Sequence, residues 1–288
     1  MTTTGWVDRF YASGDGLRLH YRDYAGPGPS SSPVLCLPGL TRNSRDFEVL
    51  ALRIARHRRV LCADLRGRGQ SQHDPNWQNY HPGTYLADLA ALLVDAGVER
   101  IVLLGTSLGG ILSMMISATR PQAVAGVILN DVGPEVAPEG LARISKYVGR
   151  HAPVSNWDEA VAQVRATYEF AMPGLSDEEW LAHARRSYSE VDGVPRLDVD
   201  PMIGEAVRAA PTAAAPDLWP LFAALRPIPT LVIRGGTSDI LSVATFDRMA
   251  REKPDLVRVT VAHRGHTPLL DEPECVAAID NFLQRCRV

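Results

Sequence analysis

Residues 101–104, Ile-Val-Leu-Leu, run directly into Gly105-Thr106-Ser107-Leu108-Gly109-Gly110, and an apolar stretch at helical spacing follows. A short, wholly apolar run reads as a strand buried on both faces, which is the habit of a parallel sheet covered by helices. The six residues after it leave no room for a loop, so the chain must reverse sharply from strand to helix. Glycine two positions before and two after Ser107 lets that reversal be tight, because neither neighbour brings a side chain into the turn. The serine then stands at the start of a helix, where free N–H groups favour developing negative charge.

The same strand–helix rhythm occupies most of the chain. Residues 9–13 and 17–24 read as two strands joined by Ser13-Gly14-Asp15-Gly16. Strands follow at 34–39, 58–65, 100–106 and 124–133. Between them lie helices at 44–57 (Ser44 as N-cap), at 84–97 (closed by Gly97) and at 108–120 (stopped by Pro121). From Pro134 to Asp217 the pattern changes to helical segments without clear strands. Asn156 with Glu159, and Ser176 with Glu179, have capping-box spacing there. Residues 210–217, rich in Ala and Pro, read as a linker. Alternation returns with strands at 230–235 and 256–262 and helices at 243–252 and 275–286. The expectation is an α/β protein with a mainly parallel, doubly wound sheet and an inserted helical cap. Its first core part spans 1–133, the cap 134–217 and the second core part 218–288.

Composition narrows the function. The 288 residues carry a net charge of −3, with 45% hydrophobic and 22% charged residues, so no basic face for nucleic acid is expected. Lysine occurs only at Lys146 and Lys253. The beginning of the chain lacks the charged-then-apolar pattern of a signal peptide, and no apolar run reaches the length of about 18 residues that a membrane helix needs. Cys36, Cys62, Cys275 and Cys286 form no C-x-x-C pair and no Cys/His metal spacing. A reduced, cytoplasmic, metal-free and cofactor-free protein is expected.

Gly105-Thr106-Ser107-Leu108-Gly109 matches G-x-S-x-G at a strand–helix junction, which makes Ser107 the candidate nucleophile. No G-x-G-x-x-G is present, and no lysine follows the glycine pair as in a phosphate loop. A serine hydroxyl needs a base, and the base needs orienting. His266, beside Gly265 past the last strand, is the leading base, with His263 its competitor. Asp239, in the Gly-Gly turn after strand 230–235, is the leading acid, and Asp131, past strand 124–133, is the alternative. The order Ser107, Asp239, His266 agrees with the order that usually accompanies this elbow. The backbone N–H groups of Leu40 and Leu108 are the expected oxyanion donors. Trp157, Trp180 and Trp219 could line the acyl pocket, although packing within the cap is the stronger explanation, and no specificity residue is named.

These motifs together resemble the α/β-hydrolase fold superfamily. The resemblance rests on LCLPGLTRNSRDFE, ADLRGRGQS, GTSLGG, VIRGGTSD and RGHTPLLDEPE, and covers nearly the whole chain. It is strongest toward bacterial carboxylesterases and 3-oxoadipate enol-lactonases with a helical cap. The family usually carries His-Gly in the oxyanion loop where this chain has Pro38-Gly39, a change that keeps the backbone donor. The resemblance implies that Asp64, Arg66 and Ser71 serve the fold. It implies hydrolysis of a small-molecule ester or lactone through an acyl-enzyme. C–C bond hydrolysis of ring-fission products and cofactor-free perhydrolysis are the alternatives on the same residues. A non-enzymatic ligand receptor is the remaining one.

Overall fold

The computed structural model describes residues 5–28, 31–209 and 217–286. Except for Asp217, the linker reading at 210–217 falls outside them. The chain opens with β1 (Val7–Ala12) and β2 (Arg18–Tyr24), an antiparallel pair. β3 (Val34–Leu37), a 3₁₀ turn at Ser44–Phe47, α1 (Glu48–Ile54) and β4 (Val60–Asp64) follow. Next come a second 3₁₀ turn at Trp77–Asn79, α2 (Pro82–Asp95), β5 (Ile101–Thr106) and α3 (Leu108–Thr119). A third 3₁₀ turn at Pro121–Ala123 leads into β6 (Val124–Asn130).

Between β6 and the next sheet strand the chain leaves the core. It forms α4 (Pro138–Tyr147), α5 (Trp157–Tyr168), α6 (Asp177–Ser187), β7 (Tyr188–Val191), β8 (Val194–Leu197) and α7 (Ile203–Ala209). It returns through α8 (Trp219–Ala223) to β9 (Thr230–Gly235), α9 (Val243–Glu252), β10 (Val257–Val261) and α10 (Pro273–Arg285). Among the described residues the main sheet has eight strands in the order β1-β2-β4-β3-β5-β6-β9-β10. All neighbouring pairs from β4 onward are parallel. β3, β4, β5, β6 and β9 are buried on both faces except at Thr106, as their apolar runs require.

The β7–β8 hairpin corrects the strand-free reading of 134–217. Its turn residues, Asp192 and Gly193, have φ of +52° and +77°. Asp-Gly with both φ values positive is the turn that joins two-residue hairpins. Ser44 is also corrected as a cap: Asn43 precedes the helical turn and its side chain accepts from Arg45 N–H. Ser176 and Glu179 make the full capping box of α6, whereas the Glu159 carboxylate turns to Ser155.

Two buried polar networks sit behind the loops. The Asp64 carboxylate accepts from Ser44 N–H (2.6 Å) and Gln70 N–H (2.9 Å) and meets His20 Nδ1 at 2.7 Å. Ser71 Oγ donates to the Asp64 carbonyl. Arg66, 1% exposed, makes a fork with Asp88 (2.7 and 2.6 Å) and reaches Asp74 and Asp15. Removing that one cation strands three carboxylates. Arg66→Met is expected to cost about 3–5 kcal/mol of stability, read by urea denaturation.

Among the described residues no helix is long and apolar enough to cross a membrane. The four cysteines are free and buried.

Candidate active site

Ser107 lies between β5 and α3 with φ +52° and ψ −116°. Such a backbone conformation costs a non-glycine residue about 1–3 kcal/mol, and persists where the surroundings enforce it. Here they do. A Cβ on Gly105 would lie 2.2 Å from the Gly109 carbonyl oxygen, and one on Gly109 would lie 2.1 Å from that of Leu37. The two glycines therefore let helix α3 start directly against the strand ends. Ser107 N–H donates to the Asn130 carbonyl at 3.0 Å, which ties the elbow to β6.

His266 comes from the loop after β10. That loop is cinched by Glu272, whose carboxylate accepts from Leu269 N–H, Leu270 N–H and Arg264 Nε. Gly265 N–H donates to the Ala171 carbonyl at 2.7 Å, which links the loop to the segment after α5. The imidazole Nε2 stands 2.9 Å from Ser107 Oγ. Its Nδ1 stands 2.7 Å from Asp131 Oδ2. A carboxylate only accepts, so Nδ1 carries the proton and Nε2 is left as acceptor for the serine hydroxyl. His263, the competing base, is exposed and outside the cavity.

The acid is a correction. Asp131, not Asp239, faces His266. Asp131 follows β6, which lies between β5 and β9 in the sheet, so its side chain rises beside the elbow. It is fully buried, and it accepts from Gly235 N–H at 2.7 Å and from Ser238 Oγ at 2.6 Å. In the turn after β9 it is therefore Ser238 that reaches toward the histidine. Asp239, one residue further, is taken by Arg143 of α4 through a fork of 2.6 and 2.9 Å. Burial would raise the Asp239 carboxyl. Arg143, with the nearby His266, holds it below the usual carboxylate range instead.

Gly39 abuts the elbow: a Cβ there would meet Ser107 Cβ at 3.7 Å. Among the described residues neither Leu40 N–H nor Leu108 N–H has a hydrogen-bond acceptor. Leu40 is fixed through its carbonyl, which accepts from the buried Arg68.

The cavity over Ser107 is walled by Gly39–Arg42, Asp46, Tyr147, Tyr168, Met172, His183, Arg186 and the 266–271 loop. Residues from α4, α5 and α6 thus form one side of it. The three tryptophans do not line it. Trp180 is buried among Val164, Ala184 and Tyr188, with Trp157 packed against that cluster. Trp219 donates to Glu135 and lies under Arg248. The cavity aromatics are Phe47 from the core and, from α4 and α5, Tyr147 and Tyr168. Nothing in the local pattern of the two tyrosines separated them from cap packing.

A strand–elbow–helix at the centre of an eight-stranded sheet, with Ser, His and Asp in hydrogen-bond sequence, defines the α/β-hydrolase class. The comparison with known proteins agrees: residues 34–279 match the model of the alpha/beta hydrolase family, and the chain belongs to it. It is 30% identical over 273 residues to a 3-hydroxybutyrate-oligomer hydrolase of Cupriavidus necator, covering 92% of each chain. It is 29% identical to a 2-(acetamidomethylene)succinate hydrolase of Mesorhizobium japonicum, over 93% of this chain and 92% of that one. Among solved structures it is similar to an alpha/beta hydrolase from Novosphingobium aromaticivorans, with TM-score 0.93 and 47% identity over 98% and 99% of the two chains.

Proposed function

We propose that the protein is a serine hydrolase of carboxylic esters or lactones, working through an acyl-enzyme. The observation that carries this reading is the hydrogen-bond sequence Ser107 Oγ, His266 Nε2, His266 Nδ1, Asp131 Oδ2, at 2.9 and 2.7 Å. Ser107 Oγ attacks the carbonyl carbon as His266 Nε2 takes its proton. Asp131 holds the tautomer and stabilises the imidazolium. The Leu40 and Leu108 N–H groups are assigned to the oxyanion, each worth about 3 kcal/mol in the transition state. The imidazolium protonates the leaving alkoxide. Water, deprotonated by the same nitrogen, then releases the acid. The α4–α7 segment serves as the cap, latched to the core by Arg143 and Asp239.

The relatives' names include hydrolases of a 3-hydroxybutyrate oligomer and of 2-(acetamidomethylene)succinate, so the bond is best tested by a panel. Initial rates on matched aryl esters, lactones, amides and vinylogous diketones should rank ester or lactone first, with a pre-steady-state burst of one alcohol per chain. Preference for the diketone would favour the C–C bond reading. No turnover of any member would favour the receptor reading.

A further inference from the structure

The cavity that holds Ser107 also holds charge, and the catalytic relay does not use it. Arg42, Asp46, His183 and Arg186 all line it. Two arginines share one aspartate, and they share it unequally. Arg42 takes the Asp46 carboxylate in a fork, Nε to Oδ2 at 2.7 Å and Nη2 to Oδ1 at 2.5 Å, and spends Nη1 on Ser187 Oγ at 2.5 Å. Arg186 Nε is left at 3.8 Å from the same carboxylate, beyond hydrogen-bond length. Its Nη2 lies 3.3 Å from His183 Nδ1. The other acid on the wall, Asp271, makes no ion pair with it within 4.0 Å among the described residues. Burial and the adjacent Glu272 raise the Asp271 carboxyl, against an electrostatic pull from Arg186 that is not a contact ion pair.

His183 supplies the second, independent observation. It is 3% exposed. A guanidinium only donates, so His183 Nδ1 accepts from Arg186 and the proton sits on Nε2. That Nε2 is buried without a hydrogen-bond partner. An orphaned buried donor is costly, and because His183 lines the cavity, an acceptor that reached Nε2 from there would relieve it. Burial, reinforced by Arg42, holds His183 well below its ordinary range, so it stays a neutral donor. Arg186 is likewise lowered, by burial that Asp46 does not make good. A carboxylate entering the cavity would pair with the Arg186 guanidinium, and an acceptor oxygen reaching the other edge of the ring would take the unpartnered imidazole N–H.

We propose that Arg186 and His183 form a carboxylate-binding subsite, so that the substrate carries a carboxylate in addition to the bond that Ser107 attacks. Arg42 neutralises Asp46 and frees Arg186 for this role. The proposal rests on the serine hydrolase reading for the bond and adds the second recognition element.

The test compares kcat/KM for isosteric pairs in which a terminal carboxylate is exchanged for a primary carboxamide. One pair carries the group on the acyl side (4-nitrophenyl hydrogen glutarate and its amide). The other carries it on the alcohol side (3-(butanoyloxy)butanoate and its amide). Wild type should prefer the carboxylate in at least one pair by tenfold or more. Arg186→Met and His183→Gln should each reduce that preference at least tenfold and about threefold respectively, chiefly through KM, and Arg186→Lys should restore part of it. A cation that only holds the cap would not move the ratio. A ratio near one in both pairs, or one that both variants leave alone, overturns the subsite while the hydrolase reading stands. If no ester is turned over, the hydrolase reading falls. The subsite is then judged by glutarate or 3-hydroxybutyrate raising the Tm of wild type more than that of Arg186→Met; no rise in wild type, or an equal rise in both, overturns it. Circular dichroism of each variant separates loss of binding from loss of fold.

Discussion

Replacing Ser107 by alanine should lower kcat on a reactive ester by about 10⁶-fold, the loss typical of removing the nucleophile from such a relay. The burst should vanish with it. The fold should survive. Alanine bears the positive φ of the elbow no worse than serine does, and the glycines that shape the turn are untouched. His266 keeps its bond to Asp131, so the imidazole stays oriented beside the missing hydroxyl. Circular dichroism and Tm within a few degrees of wild type, beside near-background turnover, are the expected pair of results.

Replacing Asp131 by asparagine should lower kcat by about 10⁴-fold, because the histidine is forced into the wrong tautomer. The neighbours dictate how the new amide sits. Gly235 N–H can only donate, and it donates to Oδ1. The asparagine must therefore keep its oxygen there and turn its NH₂ to the side now shared by His266 and Ser238. Ser238 can rotate its hydroxyl to accept. His266 Nδ1 must also become an acceptor, which moves its proton to Nε2, where the serine needs a base. Asp239→Asn should cost less than about tenfold. Its ion pair with Arg143 is part-exposed, typically worth no more than about 1 kcal/mol, and the loss should fall on the docking of α4 against the turn after β9 instead. Measuring kcat and KM for both variants on one ester separates the two acids.

The preference for Asp239 in the sequence has a physical explanation. Chain order and a Gly-Gly turn after a strand describe where a backbone goes. They do not describe which of two adjacent side chains, Ser238 or Asp239, faces inward. The elbow was legible because its chemistry is local: the apolar strand, the paired glycines and the serine are contiguous. His266 was legible for a similar reason, a glycine-preceded histidine just beyond a strand. The β7–β8 hairpin had a readable signal in Asp192-Gly193 that the surrounding helical pattern masked. The charged wall of the cavity had none. Arg42 meets Ser187 across 145 residues of chain, and each looks like an ordinary loop or helix residue until the fold joins them. The polar groups around Asp64 and Arg66 were legible as part of the fold, and no member of either network lines the cavity.

The most direct measurement of the relay is the rate at which a fluorophosphonate modifies the protein, followed by intact mass and peptide mapping. The structure predicts one adduct per chain at Ser107 in wild type, a similar rate in Asp239→Asn, a rate lower by orders of magnitude in Asp131→Asn, and no adduct in Ser107→Ala. Modification that is slowed by Asp239→Asn and not by Asp131→Asn, or that maps to another residue, would contradict it.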